Sequence, residues 1–432
     1  MARWSTLLVS WLVASCGDSP APTGPTFDAD LFRDAAGADA ARDAELRDGG
    51  EPTDGSGPDD AEPPRDGGGG DRDASTVVAC ETPRVCPGPA AGTGARFSLA
   101  LGAEIEDGNV LLHAGIATPR GPVIPWSSRL CCGADPKPMS AGVARLGDDA
   151  RVVHLFGPVL EPLLEASPAV VAMGTSLWVL DPLGGFARAA ELDADTLAPI
   201  GERDPGLGAG GVATPAVAVL GSGDTVALVS TETTTELRLL GSDGALVASI
   251  DLERTTARVG LTATCDGLLA TWEEGRRAMA MQIAPDGMPV GEPREYGETG
   301  LETELGHRGV VFDGAHVVTV GPRHVYELAP DGSLASATIS LLAPLAAVGT
   351  DEGVVVLQRE ATEGEGAPVV LLERETGAVL RELARVDTGT LYASDGTVVV
   401  APGHEGAPAS IHLAAASYTR RSQIVGARID CR

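Results

Sequence analysis

The chain has 432 residues, 61 acidic against 31 basic side chains, and a formal net charge of −30. Such a surface repels nucleic acid and anionic bilayers, which argues against both as partners. Aromatic residues make up only 3% while Gly and Pro number 56 and 31, so a core must be built from Val, Leu, Ile and Ala between many turns.

Arg3 precedes an apolar run from Trp4 to Ala14, too short to cross a bilayer as a helix, and residues 1–15 read as a signal peptide. The run ends in Val13, Ala14, Ser15 and Cys16: an aliphatic residue, two small ones and a cysteine. This resembles the lipobox of bacterial lipoproteins. The resemblance implies cleavage before Cys16, lipidation of its sulfur and acylation of the new amine. Several acyl chains on one residue hold a protein to a membrane without a spanning helix. Gly17 rather than Asp follows the cysteine, and the same resemblance then implies the outer membrane, on its periplasmic or outward side.

Residues 16–75 form an acidic tether rich in Asp, Ala, Gly and Pro, with sixteen acids against five Arg between Gly17 and Ser75. Low hydropathy with high charge buries too little apolar surface to offset ordering entropy, so disorder is expected. Asp28 and Asp30 begin like a calcium loop, but Phe32 stands where the third oxygen ligand belongs. A lead-in segment with Cys80 and Cys86 follows over residues 76–95. With Cys131, Cys132, Cys265 and Cys431, these make six cysteines beyond Cys16. An even number in an exported chain points to three disulfides. A small Cys80–Cys86 loop and a clasp from Cys431 to an N-terminal cysteine are two candidate pairings. The spacings match no common zinc finger.

From residue 96 to 432 one pattern repeats: strand, turn, strand, gap, strand, turn, strand. Residues 309–341 are its clearest copy, with turns at Asp313-Gly314 and at Pro330, Asp331 and Gly332. Glycine there takes the positive φ of a tight hairpin. Other first turns are assigned at Glu106–Gly108, Gly174, Asp224, Asp266, Gly353 and Asp395, so the first unit opens with a strand at Arg96. Seven such units resemble a seven-bladed β-propeller, an all-β ring of four-stranded antiparallel blades. Runs 354–357, 369–372 and 397–400 are apolar throughout, as for strands packed on both faces.

First and third turns share one face of a propeller. The second turns and blade links take the other, and are assigned to 117–140, 231–235, 273–277, 321–324, 359–368 and 403–408, with links 204–212 and 297–308. Binding usually lives on such loops. The ligand-face candidates are therefore Arg276, Arg277, His307, Arg323, His324, Glu363 and His404. The remaining histidines read as scattered surface residues.

Catalytic motifs fail their context. The glycine-rich run 206–211 fits G-x-G-x-x-G, but Asp204 and Pro205 precede it and Pro215 follows, so neither strand nor helix flanks it. No nucleophile elbow, zinc-protease helix or phosphate loop occurs. No cofactor, metal or catalytic residue is assigned. The expected function is a monomeric, lipid-anchored envelope module that binds protein or glycan without catalysis. The alternative is an exported glycan-active hydrolase or lyase, which requires two convergent carboxylates.

Overall fold

The computed structural model describes residues 83–432, apart from 91–93, 102–108, 130–138, 148, 160–167, 182–187, 205–215, 221–223, 231–233, 242–244, 253–256, 299–309, 361–364, 389–395, 404–407 and 419–421. The signal peptide, Cys16, the tether, Cys80, Cys131, Cys132, His307, Glu363 and His404 lie outside the described residues.

Seven four-stranded antiparallel sheets form a ring of blades. The first strand, β1 (Ala95–Ala100), opens no blade of its own. Blade 1 holds β2 (Asn109–Leu112), β3 (Val123–Arg129), β4 (Met139–Arg145) and β5 (Arg151–Val159). Blade 2 holds β6 (Val170–Met173), β7 (Ser176–Leu180), β8 (Ala189–Asp193) and β9 (Pro199–Arg203). Blade 3 holds β10 (Ala216–Val219), β11 (Thr225–Ser230), β12 (Thr235–Leu240) and β13 (Leu246–Asp251). Blade 4 holds β14 (Ala257–Thr264), β15 (Gly267–Glu274), β16 (Arg277–Ile283) and β17 (Pro289–Glu298). Blade 5 holds β18 (Val311–Phe312), β19 (Val317–Val320), β20 (His324–Leu328) and β21 (Leu334–Ile339). Blade 6 holds β22 (Pro344–Thr350), β23 (Gly353–Gln358), β24 (Ala367–Leu372) and β25 (Val379–Val386). Blade 7 holds β26 (Gly396–Ala401), β27 (Ser410–Tyr418) and β28 (Ser422–Asp430), and β1 completes it as the fourth strand.

The sequence of blade 6 explains its layers. In β22, β23 and β24 every residue is buried, because both faces of these strands meet a neighbouring blade. Its last strand, β25, is instead exposed at Val379, Leu380 and Glu382 and becomes buried only toward Val386. Turn chemistry sets the hairpins. Gly287 and Gly332 stand at φ +82° and +81°, and Asp331 Oδ1 accepts bonds from the amide and hydroxyl of Ser333.

Seven apolar clusters hold the ring, one at each seam between consecutive blades. One of them joins blade 7 back to blade 1 through Val399, Ala414 and Ala416 against Val110, Ile124 and Trp126. A lone meander cannot keep both faces dry, and closure gives each blade two neighbours.

Three expectations are corrected. The strand at Arg96 pairs with β28, Arg96 opposite Ala427, so it closes the last blade and Glu106–Gly108 precedes blade 1 instead of turning within it. The span 117–140 is not one loop, since β3 runs through it, paired with β2 and β4. Cys86 bonds to Cys431, so the small Cys80–Cys86 loop does not form, and the clasp from the chain end does. Cys265 is also disulfide-bonded.

Candidate functional site

Within an antiparallel blade the first and third turns emerge at one end and the second turn at the other. The first-turn loop of blade 1, the β4–β5 turn and the β26–β27 loop meet at a cleft of about 520 Å³. Pro119, Pro122, Pro402 and Pro408 form its walls, and Ser410, His412 and Arg428 line it.

Register places the polar groups. Along β27, Ile411, Leu413 and Ala415 face blade 6, while Ala414 and Ala416 face blade 1. Ser410 and His412 share the parity of Ala414, so the seam between blades 7 and 1 becomes polar at this end. Ser410 lies opposite Asp430, and His412 opposite Arg428. Ser410 Oγ and His412 Nε2 share a hydrogen bond of 3.0 Å. Arg428 Nε donates to Asp430 Oδ1 at 2.8 Å. His412 is 4% exposed, and burial, helped by the Arg428 charge, pushes its pKa down to about 4 against the pull of Asp430. It is a neutral imidazole at physiological pH. Its Nδ1 has no hydrogen-bond partner among the described residues, so no carboxylate orients it as in a Ser-His-Asp triad. The pair holds a hydroxyl and a ring nitrogen in fixed positions. It does not make a strong base.

A second cluster lies between blades 5 and 6. Arg84, from the lead-in, reaches Asp313 before β19 and Glu327 within β20. Its Nη1 donates to Asp313 Oδ2 at 2.5 Å and to Glu327 Oε1 at 2.9 Å, and its Nη2 lies 2.9 Å from His316 Nδ1. Arg374, after β24, donates to the other Glu327 oxygen at 2.7 Å, and Ser336 to the same oxygen at 2.6 Å. Asp313 and Glu327 are each 1% exposed. Burial holds the Asp313 carboxyl above its usual range despite Arg84. Burial also opposes the charge on Glu327, but the bonds from Arg374 and Ser336 and the two guanidinium charges bring it below its usual range. Burial and then Arg84 lower the His316 pKa. Asp313, His316 and Glu327 are a group that could hold a metal ion, with donor atoms all within 4.8 Å of one another.

The sequence candidates fall elsewhere. Arg276 is exposed in the β15–β16 turn, and Arg277 pairs with Glu274 at 3.3 Å. Arg323 is exposed before β20, and His324 stacks on Tyr326 with ring centroids 5.7 Å apart. These are second-turn residues of blades 4 and 5, at the other end of the blades from the cleft. The spans 117–122 and 403–408, read as second turns, come in the chain after the first strands of blades 1 and 7, so they belong with the short turns. His113 and His412, read as surface residues, are buried. The alternation of Ser410 and His412 with Ile411 and Leu413 was the available signal.

No family model and no curated protein matches the chain. The WD40 domain of Pan2 from Neurospora crassa is 9% identical, with 79% of this chain and 97% of that chain covered and a TM-score of 0.49. Virginiamycin B lyase from Staphylococcus aureus is 10% identical, covering 78% of this chain and 99% of that one, with a TM-score of 0.45. BamB from Moraxella catarrhalis is 14% identical, covering 73% and 85%, with a TM-score of 0.35. No residue role is carried over from any of them.

Proposed function

We propose that this chain is a lipid-anchored propeller of the cell envelope that binds a segment of protein or glycan in the cleft between blades 7 and 1. The observation that carries binding is the convergence of three loops on a cavity with apolar walls and few polar groups, in the size range of ligand sites. Seven packed seams make the scaffold rigid, so the loops stand preformed. The lipobox-like Val13–Cys16 supports the anchor, and the acidic tether supports display away from the membrane, since like charges extend a linker.

Glycan and peptide arrays probed with the mature chain test the cleft. Gly403 lines it and is exposed, so Gly403→Trp places an indole in the cleft. Binding lost in Gly403→Trp and kept in Arg323→Ala is the expected outcome. The reverse moves the site to the second-turn face, and no binding by either chain removes the proposal. Cys16→Ala abolishes labelling by a palmitate analogue if the anchor is real, and labelling that persists refutes it.

A further inference from the structure

We propose that Asp313, His316 and Glu327 form a binding site for a first-row divalent transition cation, and that the Arg84 guanidinium is the resident competitor closing it. One imidazole and two carboxylates are a donor set for Mn²⁺, Fe²⁺, Co²⁺ or Zn²⁺; calcium prefers oxygen alone. The three donors already converge, because each of them contacts the same guanidinium. Arginine remains protonated, so it donates to His316 Nδ1. The lone pair of Nδ1 therefore faces the site, and the ring proton sits on Nε2. At tetrahedral or right-angle geometry, ligands on such an ion lie roughly 3.0–3.4 Å apart for a metal–ligand distance of about 2.1 Å. The present spread, within 4.8 Å, needs to contract by up to about 1.8 Å, which side-chain rotation supplies once Arg84 leaves.

With Arg84 in place, two guanidinium charges meet two carboxylates. With Arg374 still on Glu327 Oε2, a dication in place of Arg84 leaves this group one charge more positive, with the Asp351 carboxylate nearby to offset it. Access exists through a cavity of about 400 Å³ lined by His316, Glu327 and Ser336, with Asp351 exposed at its mouth, 3.7 Å from Arg84 Nε.

Arg84 is not part of either blade. It sits on a strap more than two hundred residues earlier in the chain, which docks through Val85 N–H to Asp313 O and Asp351 N–H to Pro87 O. Strap and cation use the same three side chains, so their binding is mutually exclusive. By linkage, a cation that displaces Arg84 loosens the strap by the factor that the strap weakens the cation. The segment leading into the ring becomes cation-responsive.

The test is a Co²⁺ titration of the full chain, read by visible absorption of the bound ion. Arg84→Ala is expected to bind Co²⁺ at least roughly tenfold more tightly than wild type, a shift of about 1.4 kcal/mol. Adding His316→Ala is expected to remove that gain. Equal affinity in wild type and Arg84→Ala, or a gain that survives His316→Ala, overturns the proposal and leaves only nonspecific binding to an acidic surface. If Arg84→Ala fails to fold, amide exchange in wild type decides. Millimolar Co²⁺ should speed exchange at the Val85 and Asp351 amides while Mg²⁺ does not; unchanged protection overturns the proposal.

Discussion

Replacing Arg84 by Ala tests the buried charge cluster between blades 5 and 6. The guanidinium touches two carboxylates that are 1% exposed, with its own side chain 9% exposed. Removing one partner of a buried pair costs about 3–5 kcal/mol, because the remaining charge stays desolvated. Here the loss belongs at the lower end, about 3 kcal/mol, since Arg374 still holds Glu327 and two amides still reach Asp313 Oδ1. The pH dependence follows from the two opposite shifts. Asp313 has a raised folded pKa, so its unfavourable term is absent below its unfolded pKa and grows as pH rises through the folded value. Without Arg84 that pKa rises further. Glu327 is lowered, so its stabilisation is present above its unfolded pKa and fades in acid, but Arg374 maintains it in both proteins. The penalty of Arg84→Ala is therefore full near neutrality and shrinks as pH falls toward about 4. Urea unfolding of both proteins across this range measures it. A loss below about 1 kcal/mol at neutral pH, the size of a surface ion pair, refutes the buried-pair reasoning, as does a loss that grows in acid.

The other predictions concern the same framework. Replacing Cys86 and Cys431 together by Ser opens a loop with a sequence separation of 345, and should lower stability by up to about 6 kcal/mol on the chain-entropy account; an unchanged denaturation midpoint contradicts a closing clasp. A methyl group at Gly349 would overlap Arg84 Nη1 and Asp313 Oδ2, so Gly349→Ala should cost about 1–3 kcal/mol in the same assay, and a neutral result means that Arg84 is seated elsewhere. His412 has a lowered folded pKa of about 4, so stability should fall with pH between about 6.5 and 4, by at most about 3 kcal/mol from this residue; its ring resonances should not titrate above pH 5.5 or so, and titration near 6.5 refutes its burial.

Much of the ring was legible in local chemistry. Pro285-Asp286-Gly287 and Pro330-Asp331-Gly332 announce hairpins because only a few residues accept the required φ, and apolar strands such as β23 announce burial on two sides. β3 was hidden because its residues, Val-Ile-Pro-Trp-Ser-Ser-Arg, carry a proline and two small polar side chains and follow Gly121-Pro122, all marks of a loop. The role of β1 was not legible, since its pairing with β28 joins residues such as Ser98 and Gln423, 325 positions apart. Arg84 gave no signal either: nothing in its own neighbourhood names Asp313 or Glu327 as partners.

The two candidate sites are connected through the strap. It leaves Arg84 between blades 5 and 6, passes Cys86, and reaches blade 7, where Arg432 N–H donates to Gly88 O and Ala90 N–H donates to Asp430 O. Asp430 is also the partner of Arg428 at the cleft, and the chain then enters β1, the strand that completes the ring. A pull on the N-terminus therefore meets the Arg84 cluster first, then a covalent bond, and only then the edge strand. Without the strap, the load would fall directly on the β1–β28 ladder, which closes the last blade. That order of resistance gives a physical reason for burying a guanidinium in an otherwise apolar seam, where a hydrophobic pair would cost less to desolvate.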